Sequence, residues 1–237
     1  MRVLRESWGA ARTSTALARV DETGAATYDF DLDWRLAWAR VPQGVEVVHT
    51  GSIAAVADAE PAGALLGMLH DARRFVTTTY DPNLRPSIMG DPRSVQGRIE
   101  GLVAAADVVK VSEEDLGWLH PDADPLEIAS SWVDDLGCAL VVVTQGARGS
   151  TALQPGGCRV EVAAPLVTVV DTVGAGDAYM SGLLAALQSH DLVGAPRRRD
   201  LRAMTAADVT AVLDLPPAWP PSRCADRERT RRTWRRW

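Results

Sequence analysis

The residues with most chemical content lie in one stretch, Asp171-Thr172-Val173-Gly174-Ala175-Gly176-Asp177, followed by the apolar run Ala178 to Leu187. It joins an extended run, Pro165 to Val170, to a helix-like one. A helix N-terminus presents unpaired N–H groups and a partial positive charge, so it suits an anion. A carboxylate among those donors is poorly placed for merely holding a phosphate. It is well placed to take a proton from a hydroxyl that attacks one, which suggests phosphoryl transfer. Two blander readings fit the same residues. Gly174-x-Gly176 is a fragment of a dinucleotide fingerprint, although Asp177 would repel a pyrophosphate. Alternatively, the segment is a tight strand-to-helix turn with Asp177 as a cap. No Gly-x-x-x-x-Gly-Lys-Ser/Thr loop occurs.

The pattern around this stretch predicts the elements that must position it. Two period-two runs over residues 15–32, separated by Asp21-Glu22-Thr23-Gly24, indicate a β-hairpin. Strands are then expected at Val45–Thr50, Phe75–Tyr80, Asp107–Val111 and Ala139–Thr144. They alternate with helices at Pro61–Arg73, Arg93–Ala106 and Asp124–Leu136, the last with an Asp cap. A later antiparallel pair is expected at Gly149–Leu153 and Arg159–Ala163. Strands alternating with helices predict an α/β fold: a parallel sheet with helices on both faces.

Composition narrows the classes. The 237 residues are 46% hydrophobic, enough for one sizeable α/β core, and the formal charge of −6 gives no general nucleic-acid or membrane signal. Basic residues are almost all arginine; Lys110 is the only lysine. Cys138, Cys158 and Cys224 are far apart and read as free thiols, the first two as small apolar residues, in a reducing cytoplasmic compartment. There is no 18-residue apolar run and no secretory signal pattern, so no membrane partner is expected. His49, His70, His120 and His190 lack metal-ligand spacing and read as packing or surface residues, with His49 beside Gly51-Ser52 a candidate to line a pocket.

Three further segments follow predicted strands: Asp81-Pro82-Asn83-Leu84-Arg85, Lys110-Val111-Ser112-Glu113-Glu114-Asp115 and Thr144-Gln145-Gly146-Ala147-Arg148-Gly149. Ligands in α/β sheets bind at such strand ends. Together, and in this order, they resemble the ribokinase-like (PfkB) family of carbohydrate kinases, particularly its fructokinase-like members. Asp-Thr-x-Gly-Ala-Gly-Asp is the family's most specific signature, and the resemblance covers about residues 14 to 190. It implies a three-layer, Rossmann-like sheet with a small β lid hairpin over residues 14–33.

The resemblance also implies roles. Asp177 matches the base that deprotonates a sugar hydroxyl for in-line attack on ATP, and Gly174, Ala175 and Gly176 match the anion hole. Thr144, Gly146 and Gly149 match the nucleotide-binding turn; Asn83 and Arg85 match residues near phosphates and substrate. Asp171 and Thr172 match the region of a monovalent-cation site, K⁺. Ser112-x-x-Asp115 stands where an Asn-x-x-Glu motif is associated with Mg²⁺ and phosphate, which makes Asp115 and Glu114 metal candidates. A solvated acidic helix start explains these acids as well. The implied partners are a small sugar and ATP, no nucleic acid, and a second copy through the lid.

The match is incomplete at both ends. The family's first strand and its Gly-Gly-x-x-x-Asn sugar segment do not occur, so part of the sheet and of the sugar site is expected to be lacking. The pattern decays after His190 and is lost after Leu215, which divides the chain into a partial kinase domain, 1–214, and a Pro/Arg-rich tail, 215–237. The tail reads as a disordered segment, as a basic arm, or as the product of a shifted reading frame.

Overall fold

The structure, a computed structural model, describes residues 12–20, 26–32, 40–51, 59–165 and 174–214. A small sheet comes first: β1 (Thr15–Val20) pairs antiparallel with β2 (Ala26–Asp31), in register from Thr15 opposite Asp31 to Val20 opposite Ala26. This is the expected hairpin.

Among the described residues the main sheet has six strands in simple order: β3 (Val47–Gly51), β4 (Thr77–Asp81), β5 (Val108–Ser112), β6 (Leu140–Thr144), β7 (Ser150–Gln154) and β8 (Cys158–Val162). The first four are parallel and the last two antiparallel. Helices α1 (Ala59–Arg73), α2 (Pro86–Met89), α3 (Pro92–Ala104), α4 (Glu113–Leu119) and α5 (Pro125–Asp134) connect the parallel strands. After β8 come α6 (Ala175–Ser189), α7 (Arg198–Arg202) and α8 (Ala206–Leu213).

Strand alternation divides the core in two. One cluster joins Tyr80, Val109, Val111, Val141 and Val143 to Leu69, Ile99, Leu116 and Trp132 of the connecting helices. The other joins Val108, Leu140, Val142 and Ala152 to Leu183 and Leu187 of α6, Leu201 of α7 and Val209 and Val212 of α8. Helices therefore cover both faces, as expected. Cys138 is buried and Cys158 half-buried, both as free thiols, and burial pushes the Cys138 thiol up to about 12. Cys224 lies outside the described residues.

Residues 191–214, where the sequence pattern fades, are ordered and packed. A capping box starts α8: Asp208 N–H donates to Thr205 Oγ1 at 3.2 Å, and Thr205 N–H donates to Asp208 Oδ2 at 2.8 Å. Thr205→Ala is expected to cost about 1 kcal/mol. Thermal denaturation should show a midpoint lower by roughly 2–4 °C.

The opposite end of the sheet from the site carries a buried charge cluster. Asp107, 1% exposed, accepts from Arg73 Nε at 3.0 Å and from Arg198 Nε at 2.7 Å. Its other oxygen accepts from Thr78 N–H at 3.1 Å. This cluster ties α1, β5 and α7 together. The proposed division at residue 215 and the tail beyond it lie outside the described residues.

Candidate active site

Four pieces of chain meet at one edge of the main sheet. The C-terminal ends of β4, β5 and β6 are adjacent because the strands are adjacent and parallel. The loops after them are the Asp81–Arg85, Ser112–Asp115 and Thr144–Gly149 segments. Helix α6 begins over the same edge, since its Tyr179 hydroxyl lies 2.8 Å from Ser150 Oγ at the start of antiparallel β7.

Gly174 is the N-cap of α6, with φ of 78°, a left-handed conformation that favours glycine. Its carbonyl accepts from Ala178 N–H at 2.9 Å, so the amides of Ala175, Gly176 and Asp177 precede the first intrahelical bond. Asp177 occupies the third helical position and is exposed. It is not the N-cap, and among the described residues its carboxylate accepts no hydrogen bond, so capping does not account for it.

Beneath this turn lies a row of polar side chains on the α6 face of the sheet. Because alternate strand residues share a face, His49, Thr79, Asp81 and Lys110 all point there, while Val48, Tyr80, Val109 and Val111 point to the other core. Lys110 Nζ lies 2.9 Å from Asp81 Oδ2, each side chain 5% exposed. A Cβ built on Gly176 would stand 2.9 Å from the same Nζ. His49 Nδ1 lies 3.0 Å from Thr79 Oγ1. Burial raises the Asp81 carboxyl above its ordinary value; the Lys110 charge opposes that rise, and Asp177 adds to it. Desolvation lowers the His49 ring, with Asp177 pulling the other way. Thus Asp177 shares one electrostatic neighbourhood with His49 and Asp81.

The flanking loops interlock. Asp115 Oδ1 accepts from Leu84 N–H at 3.0 Å, and its other oxygen accepts from Ser112 N–H at 3.4 Å in a capping box. Burial raises this carboxyl. Asp115 therefore fastens the Asn83–Arg85 loop to the start of α4. Asn83 has φ of 40°, and Arg85 donates to the Leu84 carbonyl at 2.9 Å. Glu114 is exposed beside it, and Glu113 pairs with Arg148. Among the described residues no three His, Cys, Asp or Glu side chains converge as metal ligands. Mg²⁺ commonly takes one or two carboxylates plus substrate phosphates, so it does not require a three-residue cluster.

Thr144 ends β6, and Gly146 to Arg148 form a 3₁₀ turn with Gly146 at φ of 57°. Gly149 is at φ of 101°, where a Cβ would collide with the Val162 carbonyl oxygen and stand 2.7 Å from Ala164 N. Gly149→Ala should therefore cost more than the roughly 1–3 kcal/mol of backbone strain alone. Chemical denaturation reads this directly; a loss under about 1 kcal/mol would mean the turn is held differently. A cleft of about 560 Å³ flanks this turn, lined by Gln145, Arg148, Thr151 and Arg159 among others. Asp177 and its glycines do not line it. Asp171, Thr172 and Ser52 lie outside the described residues.

In the sequence, Asp81 and Lys110 stand in separate motifs and His49 is a candidate to line a pocket; no spacing joins the three into one cluster. The available signal was a lysine in the middle of an apolar strand.

Known proteins resemble the chain along most of its length. Residues 6–207 match the pfkB family carbohydrate kinases. A fructokinase of Rhizobium leguminosarum bv. trifolii is 38% identical over 151 residues, 62% of this chain and 44% of that protein. A fructokinase of Klebsiella pneumoniae is 31% identical over 189 residues, 77% of this chain and 61% of that protein. The crystal structure of a fructokinase from Vibrio cholerae O395 with fructose, ADP and calcium superposes with a TM-score of 0.63 at 26% identity, covering 84% of this chain and 63% of that one. The chain belongs to the pfkB family of carbohydrate kinases, and its sheet is that of the ribokinase-like fold. It spans about half of the length of the curated relatives named above.

Proposed function

We propose that this chain transfers the γ-phosphoryl group of ATP to a hydroxyl of fructose or a similar sugar. The observation that carries the reading is the exposed Asp177 carboxylate in the first turn of α6, beside the amides of Ala175 and Gly176 that precede the first intrahelical bond. Asp177 is the base that takes the hydroxyl proton as the oxygen attacks phosphorus in line. The Gly174–Gly176 amides stabilise the charge on the transferring group, so the work is mostly positioning and electrostatics. Thr144, Gly146 and Gly149 hold the nucleotide; Asn83 and Arg85 serve phosphates and substrate. Asp115 and Glu114 would hold Mg²⁺, which when bound with the nucleotide neutralises phosphate charge. Asp171 and Thr172 are assigned to a K⁺ site. The fructokinase relatives and the fructose- and ADP-bound structure support the choice of sugar and nucleotide.

Pairing of two copies through the hairpin belongs to the same reading. The free Cys138 and Cys158 fit a cytoplasmic setting, and no helix among the described residues is long and apolar enough to cross a membrane.

A panel of sugars and nucleosides offered with ATP and Mg²⁺ tests the reading, with fructose expected to give the highest kcat/KM. Absence of transfer to every acceptor by folded protein would overturn it. The second reading is a protein that binds nucleotide without transferring phosphate. It predicts ATP binding with no sugar phosphate.

A further inference from the structure

Lys110 is one lysine among 25 basic residues, and it is buried rather than at the surface. It lies near the centre of β5, on the face covered by α6, where its strand neighbour Val108 packs in the apolar core. Its ammonium is closed in from two sides. Asp81 holds it at 2.9 Å on one side, and Gly176 lies against it on the other, where a Cβ would stand 2.9 Å from Nζ. The larger planar guanidinium that the chain uses elsewhere would not fit between them.

Stability does not explain the pair. Two buried charges are expensive to desolvate, and neutral side chains of similar volume are often as stable or more so. What the pair does supply is a fixed positive charge directly under the backbone of the proposed anion hole. That charge has a fixed height, because Asp81 holds the ammonium and glycine at 176 lets the first helical turn settle onto it.

We propose that Lys110 is the positioning residue of the hole: anchored by Asp81, its ammonium supports the Gly174–Gly176 turn and adds the charge that makes this turn prefer a terminal phosphoryl group. It touches no substrate; it acts through the amides above it. The proposal rests on the assignment of the α6 N-terminus to the γ-phosphoryl group.

The test compares the wild-type chain with Lys110→Arg and with the double variant Lys110→Met/Asp81→Asn, which removes both charges and keeps the volume. Calorimetry measures binding of ADP and of a non-hydrolysable ATP analogue; fructose phosphorylation gives kcat and KM. The double variant is expected to melt within a few degrees of wild type and to bind ADP equally. It should lose about tenfold of its preference for the triphosphate, and about 10²-fold in kcat, with the fructose KM unchanged. Lys110→Arg should not restore either. A folded double variant with wild-type triphosphate preference and kcat overturns the proposal, and so does a double variant that fails to fold, since the pair would then be structural. Wild-type protein that phosphorylates no sugar contradicts the kinase reading alone; the triphosphate preference still decides the role of Lys110. Wild-type protein that binds no triphosphate overturns both.

Discussion

Asp177→Asn is expected to lower sugar-phosphorylating turnover by about 10²–10⁴-fold, the usual contribution of a positioned general base. The side chain is exposed, and no hydrogen bond holds it among the described residues, so the fold should not register the change. Nucleotide affinity should stay equal or rise. The carboxylate stands beside the amides assigned to the phosphates, so removing its charge removes a repulsion and no contact. The pairing of a large loss in kcat with undiminished ATP affinity separates a base from a phosphate-binding residue. If kcat fell less than about threefold, or if ATP affinity fell with it, the assignment of the base would be wrong.

Asp107→Ala is expected to have a large effect on stability. The carboxylate is buried and accepts from two guanidinium groups and a backbone amide. Removing one partner from a buried ionic cluster costs about 3–5 kcal/mol, chiefly through the charges left unpaired. Arg73 and Arg198 each keep about a quarter of their side-chain surface in water, 25% and 28%. Hydration therefore recovers part of their loss, and the lower end, about 3 kcal/mol, is expected. For a chain of this length that is roughly 6–12 °C in the melting midpoint. Because α7 is held to β5 through Arg198, hydrogen exchange should rise first across residues 194–214. Asp107 lies at the opposite end of the sheet from the site, so ATP affinity at low temperature should be unchanged. Uniform acceleration of exchange over the whole sheet would contradict this local role.

The parallel part of the sheet was legible because its strands are short apolar runs, Leu140–Thr144 above all, set between helices with clear starts such as the Asp124 cap. Boundaries were less so. Helix α6 begins at Ala175, ahead of the apolar run at Ala178, because Gly174 in a left-handed conformation takes the cap. Helix α8 went unread although Val209, Val212 and Leu213 follow helical spacing. Its signal was the Thr205–Asp208 capping box, obscured by the arginine-rich stretch at 197–199 before it. At the site, the glycine turn and Asp177 announced themselves by local residue type. Lys110 did not. Its contact with Gly176 arises only when α6 is laid across β5, and no spacing along the chain encodes that crossing.

On the proposed reading, Asp177 and the turn before it move a phosphoryl group onto a sugar hydroxyl. The most direct measurement mixes the chain with ATP, Mg²⁺ and fructose and quantifies fructose phosphate and ADP together by mass spectrometry, alongside Asp177→Asn. The two products should form in equal amounts with the wild-type chain and fall together in the variant. ADP formed without fructose phosphate, or equal sugar phosphate from both proteins, would contradict the account.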